Sequence, residues 1–293
     1  MIGLDTSHAA AFTKLLNDPD VPYHVKGARV VKAFPAGSMD FELSYSRLGK
    51  ITDEVRTFGV EIVSSIEEAA EQVDGILLES VDGRIHLEQF RQIAPYRKPV
   101  FIDKPFTVSV KDAQQIIKIA REYGTPVMSC SALRFAESLN EALASRDKEK
   151  VVGADCYGPI EMVDTQPGYF WYGIHTIEML YTIFGSGAKV VQTLSQGNHE
   201  LLIGEWIDGR IGVIRANPPG NYQFNCVIHF EDGIELVAIA SSKKPYYASL
   251  LEQIIGFFAS GKSPVDITET LEIINFIEAA NKSLKNGGKV ALE

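Results

Sequence analysis

Pro99-Val100-Phe101-Ile102-Asp103-Lys104-Pro105 joins an apolar run suited to a buried strand to an acid, a cation and a strand-ending proline. Open α/β sheets bind ligands beyond the carboxyl ends of their strands. Lysine is costly to bury without a partner or a purpose. Asp103-Lys104-Pro105 is therefore read as facing a ligand cleft, with a solvated turn as the plain alternative.

Outward from that stretch, Arg29 to Phe34, Gly75 to Leu78 and Pro126 to Ser129 also read as buried strands, each preceded by a helical or turn segment. The clearest helix spans Val110 to Tyr123, with Ala113, Ile116, Ile117, Ala120 and Tyr123 on one stripe and Gly124 placed to end it. This alternation predicts a doubly wound parallel sheet. From about Val151 the pattern changes to alternating runs, Glu200 to Ile207, Ile211 to Ala216, Phe224 to Phe230 and Ile234 to Ala240, with Asp208-Gly209 and Asp232-Gly233 as hairpin signals. A mainly antiparallel sheet is expected there. Helices over Ser249 to Ala259 and Glu269 to Leu284 close the chain. The expected organisation is an α/β domain over 1–129, then an α+β domain over 130–293 whose last helices pack back on the first.

The 293 residues have room for two such domains. A net charge of −10 argues against a nucleic-acid duplex or an anionic membrane surface as the main partner, and for a small molecule. Cys130, Cys156 and Cys226 are widely spaced and odd in number, so neither a disulfide framework nor a structural zinc site is expected. A reduced cytoplasm fits. No signal peptide is read at the amino terminus, and the most apolar stretch, Gly168 to Gly185, carries His175 and Glu178, so no membrane span is expected.

Phosphate-binding turns between a first strand and helix use the order Gly-x-Gly-x-x-Gly. Here the row is Ile2-Gly3-Leu4-Asp5-Thr6-Ser7-His8, which keeps only the first glycine. Asp5 takes the second place and His8 the third, while Thr6 and Ser7 can cap the following helix. A carboxylate about 4 Å from a phosphate charge would cost about 4 kcal/mol at an effective dielectric of ~20, roughly a thousandfold in affinity. A carboxylate turned away would leave the hydroxyls and backbone N–H groups to receive the phosphate. The acid that accepts ribose hydroxyls at the end of a second strand is also missing: Phe34 stands there and no acid follows until Asp40. Ser38 and Lys32 would instead suit a ribose phosphate. The first strand has only about four residues, short for the central strand of a doubly wound sheet.

A second motif is Gly168-Tyr169-Phe170-Trp171-Tyr172-Gly173-Ile174-His175-Thr176-Ile177-Glu178. On a helix His175 and Glu178 share a face. A lone histidine among aromatics is more often a core residue, but beside Lys104 it supplies a proton carrier next to a fixed charge. Oxidising an alcohol to a carbonyl uses both groups.

With these motifs the chain resembles the glucose-fructose oxidoreductase, inositol dehydrogenase and rhizopine-catabolism (Gfo/Idh/MocA) family over nearly its whole length. The family's Glu-Lys-Pro appears as Asp103-Lys104-Pro105, and its Asp-x-Gly-x-His-x-x-Asp is matched by Gly173, His175 and Glu178, with Trp171 at the leading aspartate. Arg134-Phe135 fits the family's Arg-Phe pair, and His86 is the surviving residue of the loop after the fourth strand. The resemblance implies a Rossmann domain joined to a carboxy-terminal domain with an open sheet, and pairing into homodimers or homotetramers. It implies an oxidoreductase that uses NAD or NADP on a sugar, polyol or related hydroxyl compound, with Lys104 and His175 as the catalytic pair. Gly3, Asp5, Thr6, Ser7, His8, Glu79, Ser80, Asp82, Asp103, Lys104 and Pro105 are the expected cofactor residues; Arg134, Trp171, Tyr172 and Glu178 are the expected substrate residues. Two other readings stand beside it: a member that binds a sugar-like ligand or partner without turnover on the aromatic loop Tyr169 to Tyr172, and metal-assisted chemistry through His175 and Glu178, which needs a further ligand. No resident metal is expected; His199 and His229 are read as structural.

Overall fold

The computed structural model describes residues 1–292. The chain forms two compact units, Met1–Cys130 with Tyr247–Thr270, and Ser131–Tyr246 with the chain from Leu271 onward. The segment Tyr247–Thr270 thus falls within the first unit.

The first unit alternates helices and strands: α1 Ser7–Asn17, β1 Lys32–Ala33, α2 Glu42–Thr57, β2 Glu61–Ile62, α3 Ile66–Ala70, β3 Ile76–Leu78, α4 His86–Ile93, β4 Val100–Ile102, α5 Val110–Tyr123 and β5 Val127–Met128. β1 pairs parallel with β2, and β3, β4 and β5 pair parallel in that order. Ile2 bridges the two groups, lying parallel to Phe34 on one side and to Leu78 on the other. Read across, the order is third, second, first, fourth, fifth, sixth, which is the dinucleotide-binding arrangement with its switch point beside Ile2. β3 and β4 are buried throughout, as parallel strands covered on both faces are, so they read as continuous apolar runs.

Local sequence explains the helices. Thr6 caps α1 by accepting the His8 N–H, and Ala9, Phe12, Leu15 and Leu16 form its buried stripe. Ser109 caps α5 through the Asp112 N–H, and Gly124 ends it in the left-handed region at φ 69°. One detail differs from the expected stripe: Tyr123, in the last turn before that cap, is 40% exposed, while Ile119 is buried.

In the second unit a seven-stranded sheet uses β6 Val151–Pro159, β7 Ala188–Gln196, β8 His199–Trp206, β9 Ile211–Asn217, β10 Asn225–Phe230, β11 Gly233–Ala238 and β12 Lys289–Ala291. The order is β11-β10-β6-β9-β8-β7-β12; only β6 and β9 run parallel. α6 Glu137–Ala144 and α7 Gly173–Phe184 precede β6 and β7, and α8 Tyr246–Ser260 and α9 Ile267–Asn286 follow β11. α7 lies on β6 and β9 at glycines: a Cβ at Gly158 would stand 2.2 Å from Thr176 Oγ1, and one at Gly212 2.6 Å from Leu180. Across the sheet, Val237, Cys226, Cys156, Ile214, Leu202 and Thr193 pair in one buried row. The next row, Leu236, Val227, Asp155, Val213, Ile203 and Gln192, points to the opposite face, where Leu236 and Ile234 are exposed. All three cysteines are free and buried. No helix among the described residues is long and apolar enough to cross a membrane.

Candidate functional site

In the first unit the carboxyl ends of Ile2, β3 and β4 carry a dense polar cluster. Gly3 is the pivot, at φ 93°, because a Cβ there would stand 2.3 Å from the Ser80 backbone nitrogen. This close approach docks the first turn against the loop after β3. Asp5 follows and is fully buried. Its Oδ1 accepts the Val81 N–H at 3.0 Å and its Oδ2 the Ser44 hydroxyl at 2.5 Å. Ser44 Oγ in turn accepts the Ser38 N–H, and Ser38 Oγ donates to Asp82 at 2.7 Å. Arg84 donates to both Asp82 and Asp40, so one chain of hydrogen bonds ties the turn, the loop after β1, α2 and the loop after β3. Burial pushes the Asp5 carboxyl up, against the Ser44 and Val81 bonds that pull it down.

Beside it, His8 Nδ1 meets Asp103 Oδ2 at 2.7 Å, both nearly buried. The imidazole is held edge-on by Tyr247 at 4.9 Å between ring centres. Burial raises the Asp103 carboxyl, but the charge and hydrogen bond of His8 and the charge of Lys104 outweigh it and hold it at about 2. Glu79, fully buried, has no hydrogen-bond partner on either oxygen. Burial and the nearby Asp103 charge raise it well above the carboxylate range, against the pull of the amino terminus and Lys104. His8, Glu79 and Asp103 offer ligand atoms within 4.8 Å of one another, with His8 and Asp103 already committed to each other. Lys104 closes β4 at 7% exposure. The expected cofactor residues Gly3, Asp5, His8, Glu79, Ser80, Asp82, Asp103 and Lys104 thus belong to one corner of one sheet.

Other expectations shift. Ser38, suited in sequence to a ribose phosphate, is buried and donates to Asp82, so its hydroxyl is already taken. Lys32 reaches the Glu68 carbonyl. His86 is a clip: its ring nitrogens meet the Ser80 and Phe106 carbonyls at 2.7 and 3.1 Å, joining the loops after β3 and β4. A cavity of about 770 Å³ elsewhere in this unit is lined by Leu16, Val30, Leu77, Ile255 and Phe258, and includes none of the cluster.

A dinucleotide needs backbone N–H groups at a helix amino end and no opposing charge in the approach. Ser7 stands exposed at the first position of α1. Asp5 keeps its carboxyl out of solvent, spent on Val81 and Ser44. The residues present fit a bound pyrophosphate at α1, without the ribose acid.

The second unit holds the remaining expected residues. Ser131 and Arg134, three apart on the turn Ala132–Phe135 and its cap, meet His175 and Glu178, three apart on α7. Ser131 Oγ lies 2.7 Å from His175 Nδ1. Arg134 donates Nε–H to Glu178 at 2.9 Å and its second nitrogen lies 2.8 Å away. Glu178 is therefore neutralised by Arg134, which competes with its use as a metal ligand. Tyr172 and Phe224 flank the His175 ring at 5.8 and 5.6 Å, and Trp171 is buried beside Tyr172. Ser131 was not anticipated, and a serine 44 residues before a histidine carries no local signal.

Residues 42–130 match the model of an oxidoreductase family with an NAD-binding Rossmann fold. No curated protein matches the chain in sequence. Among solved structures, the chain is similar to a probable dehydrogenase from Thermotoga maritima (17% identity, TM-score 0.79, covering 99% of this chain and 97% of that one). It is also similar to the scyllo-inositol dehydrogenase from Lactobacillus casei with bound NAD(H) and scyllo-inositol (12%, 0.80, 99% and 97%). The myo-inositol dehydrogenase of the same organism, in complex with NAD(H) and myo-inositol, gives 13%, 0.77, 100% and 95%. These likenesses extend over both units and establish the shared fold.

Proposed function

We propose that this chain, whose residues 42–130 match an oxidoreductase family with an NAD-binding Rossmann fold, is a member of the Gfo/Idh/MocA family and transfers hydride between NAD or NADP and a sugar, polyol or related hydroxyl compound. The observation that carries the proposal is Lys104, almost fully buried at the end of β4, with its charge acting on Asp103 and Glu79. A cation kept there has a purpose in the crevice at the strand ends.

When bound, the nicotinamide supplies or accepts the hydride. Ser7 and the amino end of α1 hold the phosphates, and Gly3 lets the turn lie close to Ser80. Lys104 supplies a fixed positive charge toward the substrate oxygen, and His175 exchanges a proton at Nε2. Trp171, Tyr172, Arg134 and Glu178 shape the substrate side. Relatives of the same fold crystallised with inositols support a polyol. The exposed Leu236 and Ile234 on the open sheet face support pairing with a second copy of the chain into a homodimer or homotetramer. The three free thiols support a cytoplasmic setting.

Titration of NADH and NADPH followed by fluorescence, then screening of sugars and polyols with oxidised and reduced cofactor, tests this reading. Lys104→Ala and His175→Ala are each expected to lower turnover by roughly a hundredfold or more. No cofactor binding at millimolar concentration would overturn it. Binding of cofactor and polyol with no turnover would favour the non-catalytic reading, which the buried Trp171 in place of an acid supports.

A further inference from the structure

We propose that Ser131 holds His175 as the neutral tautomer with its proton on Nε2, so that the imidazole meets the substrate oxygen as a hydrogen-bond donor. The use of that donor rests on the function proposed above; the tautomer does not.

Ser131 is fully buried. Its hydroxyl oxygen accepts the Leu133 N–H at 3.3 Å, which caps the turn Ala132–Phe135, and lies 2.7 Å from His175 Nδ1. A serine hydroxyl has one hydrogen and two lone pairs. Leu133 occupies one lone pair. If Nδ1 carried a proton it would occupy the other, and the serine hydrogen would be buried without an acceptor, since among the described residues Nδ1 is the one acceptor it reaches. If Nδ1 is the acceptor, the hydroxyl makes both of its bonds. The hydrogen-bond inventory therefore selects Nδ1 without a proton and Nε2 with one.

A carboxylate at this place would act in the opposite sense. It only accepts, so it holds a proton on Nδ1, stabilises the imidazolium and leaves Nε2 as a base. The neighbouring motif positions do not supply one: Trp171 stands four residues before His175, and Glu178, three after, is paired with Arg134. The rings of Tyr172 and Phe224 pack edge-on against the imidazole and restrain its rotation. An Nε2–H donor pairs with an oxygen that accepts, which an alcohol oxygen can do and a carbonyl oxygen, having no proton of its own, must do. The site is thus arranged to donate to the substrate oxygen, as reduction of a carbonyl requires, and Ser131 is the positioning residue that makes it so.

Nitrogen-15 correlation spectra of the histidine-labelled full chain at about pH 8, above the ordinary imidazole pKa of about 6.5, read the tautomer directly. His175→Gln identifies the resonances by their loss. In the wild type, Nδ1 is expected at the unprotonated position and Nε2 at the protonated one; a protonated Nδ1 would overturn the proposal. Ser131→Asp is expected to move the proton to Nδ1, and Ser131→Ala to give a mixture. Folded variants that both keep the wild-type pattern would equally remove Ser131 from its role. If either variant fails to fold, the wild-type spectrum still decides. Retained turnover in His175→Ala would sink the functional reading but leave this spectrum unchanged.

Discussion

Asp5 and Asp103 follow strands on either side of β3 in one sheet, both with almost no exposure, yet their carboxyls are displaced in opposite directions. Asp5 has neutral donors, the Val81 N–H and the Ser44 hydroxyl, and burial wins: its carboxyl is raised. Asp103 meets the same burial, but the His8 and Lys104 charges overcome it and hold the carboxyl at about 2. Equal burial thus yields a carboxyl raised above the ordinary aspartate value at one strand end and a fixed anion at the other. What the partner carries decides, because a formal charge offsets desolvation far better than a dipole does.

The largest expected effect comes from removing the anion. Asp103→Ala leaves His8 without its partner and should cost about 3–5 kcal/mol in urea unfolding. A loss near that of an ordinary surface change would break the contrast. Next, Gly3→Ala forces a Cβ to 2.3 Å from Ser80 at a left-handed φ. About 3 kcal/mol of destabilisation is expected by thermal unfolding, from overpacking and backbone strain together.

A matched pair sharpens the comparison further. Asp103→Asn removes a charge that its surroundings require and should cost about 2 kcal/mol. Asp5→Asn can still accept from Val81 and pair with Ser44, so its cost should stay within about 1 kcal/mol, and NADH should bind no more weakly than to the wild type. Equal costs would show that the two corners do not differ in kind.

Acid titration of stability should show the smallest effect, with opposite signs at the two sites. Asp103 is ionised more readily in the folded chain than in the unfolded one. Its contribution is present above about pH 4 and is lost as pH falls through about 2, about 2 kcal/mol in all. Asp5, raised in the fold, contributes in the other sense: its stabilisation is present at low pH and declines as pH rises from the ordinary aspartate value through the raised one. Unfolding free energies measured from pH 2 to 7 in wild type and in Asp103→Asn should differ most above about pH 4 and converge at the acid end.

Much of the fold was legible because it rests on local rules. The apolar runs at Gly75 to Leu78 and Val100 to Ile102, the stripe and cap of α5, and the Asp-Gly turns at 208–209 and 232–233 each signal their element within a few residues. The strand β12 and the sheet order did not show, since pairing partners far apart in sequence leave no local trace. In the site, Lys104 stood out because a cation after a buried strand is anomalous. Ser131 and the Asp5–Ser44–Ser38–Asp82 chain could not stand out, since serines and aspartates are common in loops.

Residue types and their periodicity alone determined the alternation of helix and strand, the change to hairpins in the second half, and which charged groups have an unusual position. Which carboxyl faces an imidazole, which faces a hydroxyl, and which nitrogen of His175 is given a hydrogen-bond donor were decided only in three dimensions. The reason is physical: periodicity follows from backbone geometry over a few residues, whereas charge state follows from partners brought within about 3 Å by burial of the whole chain.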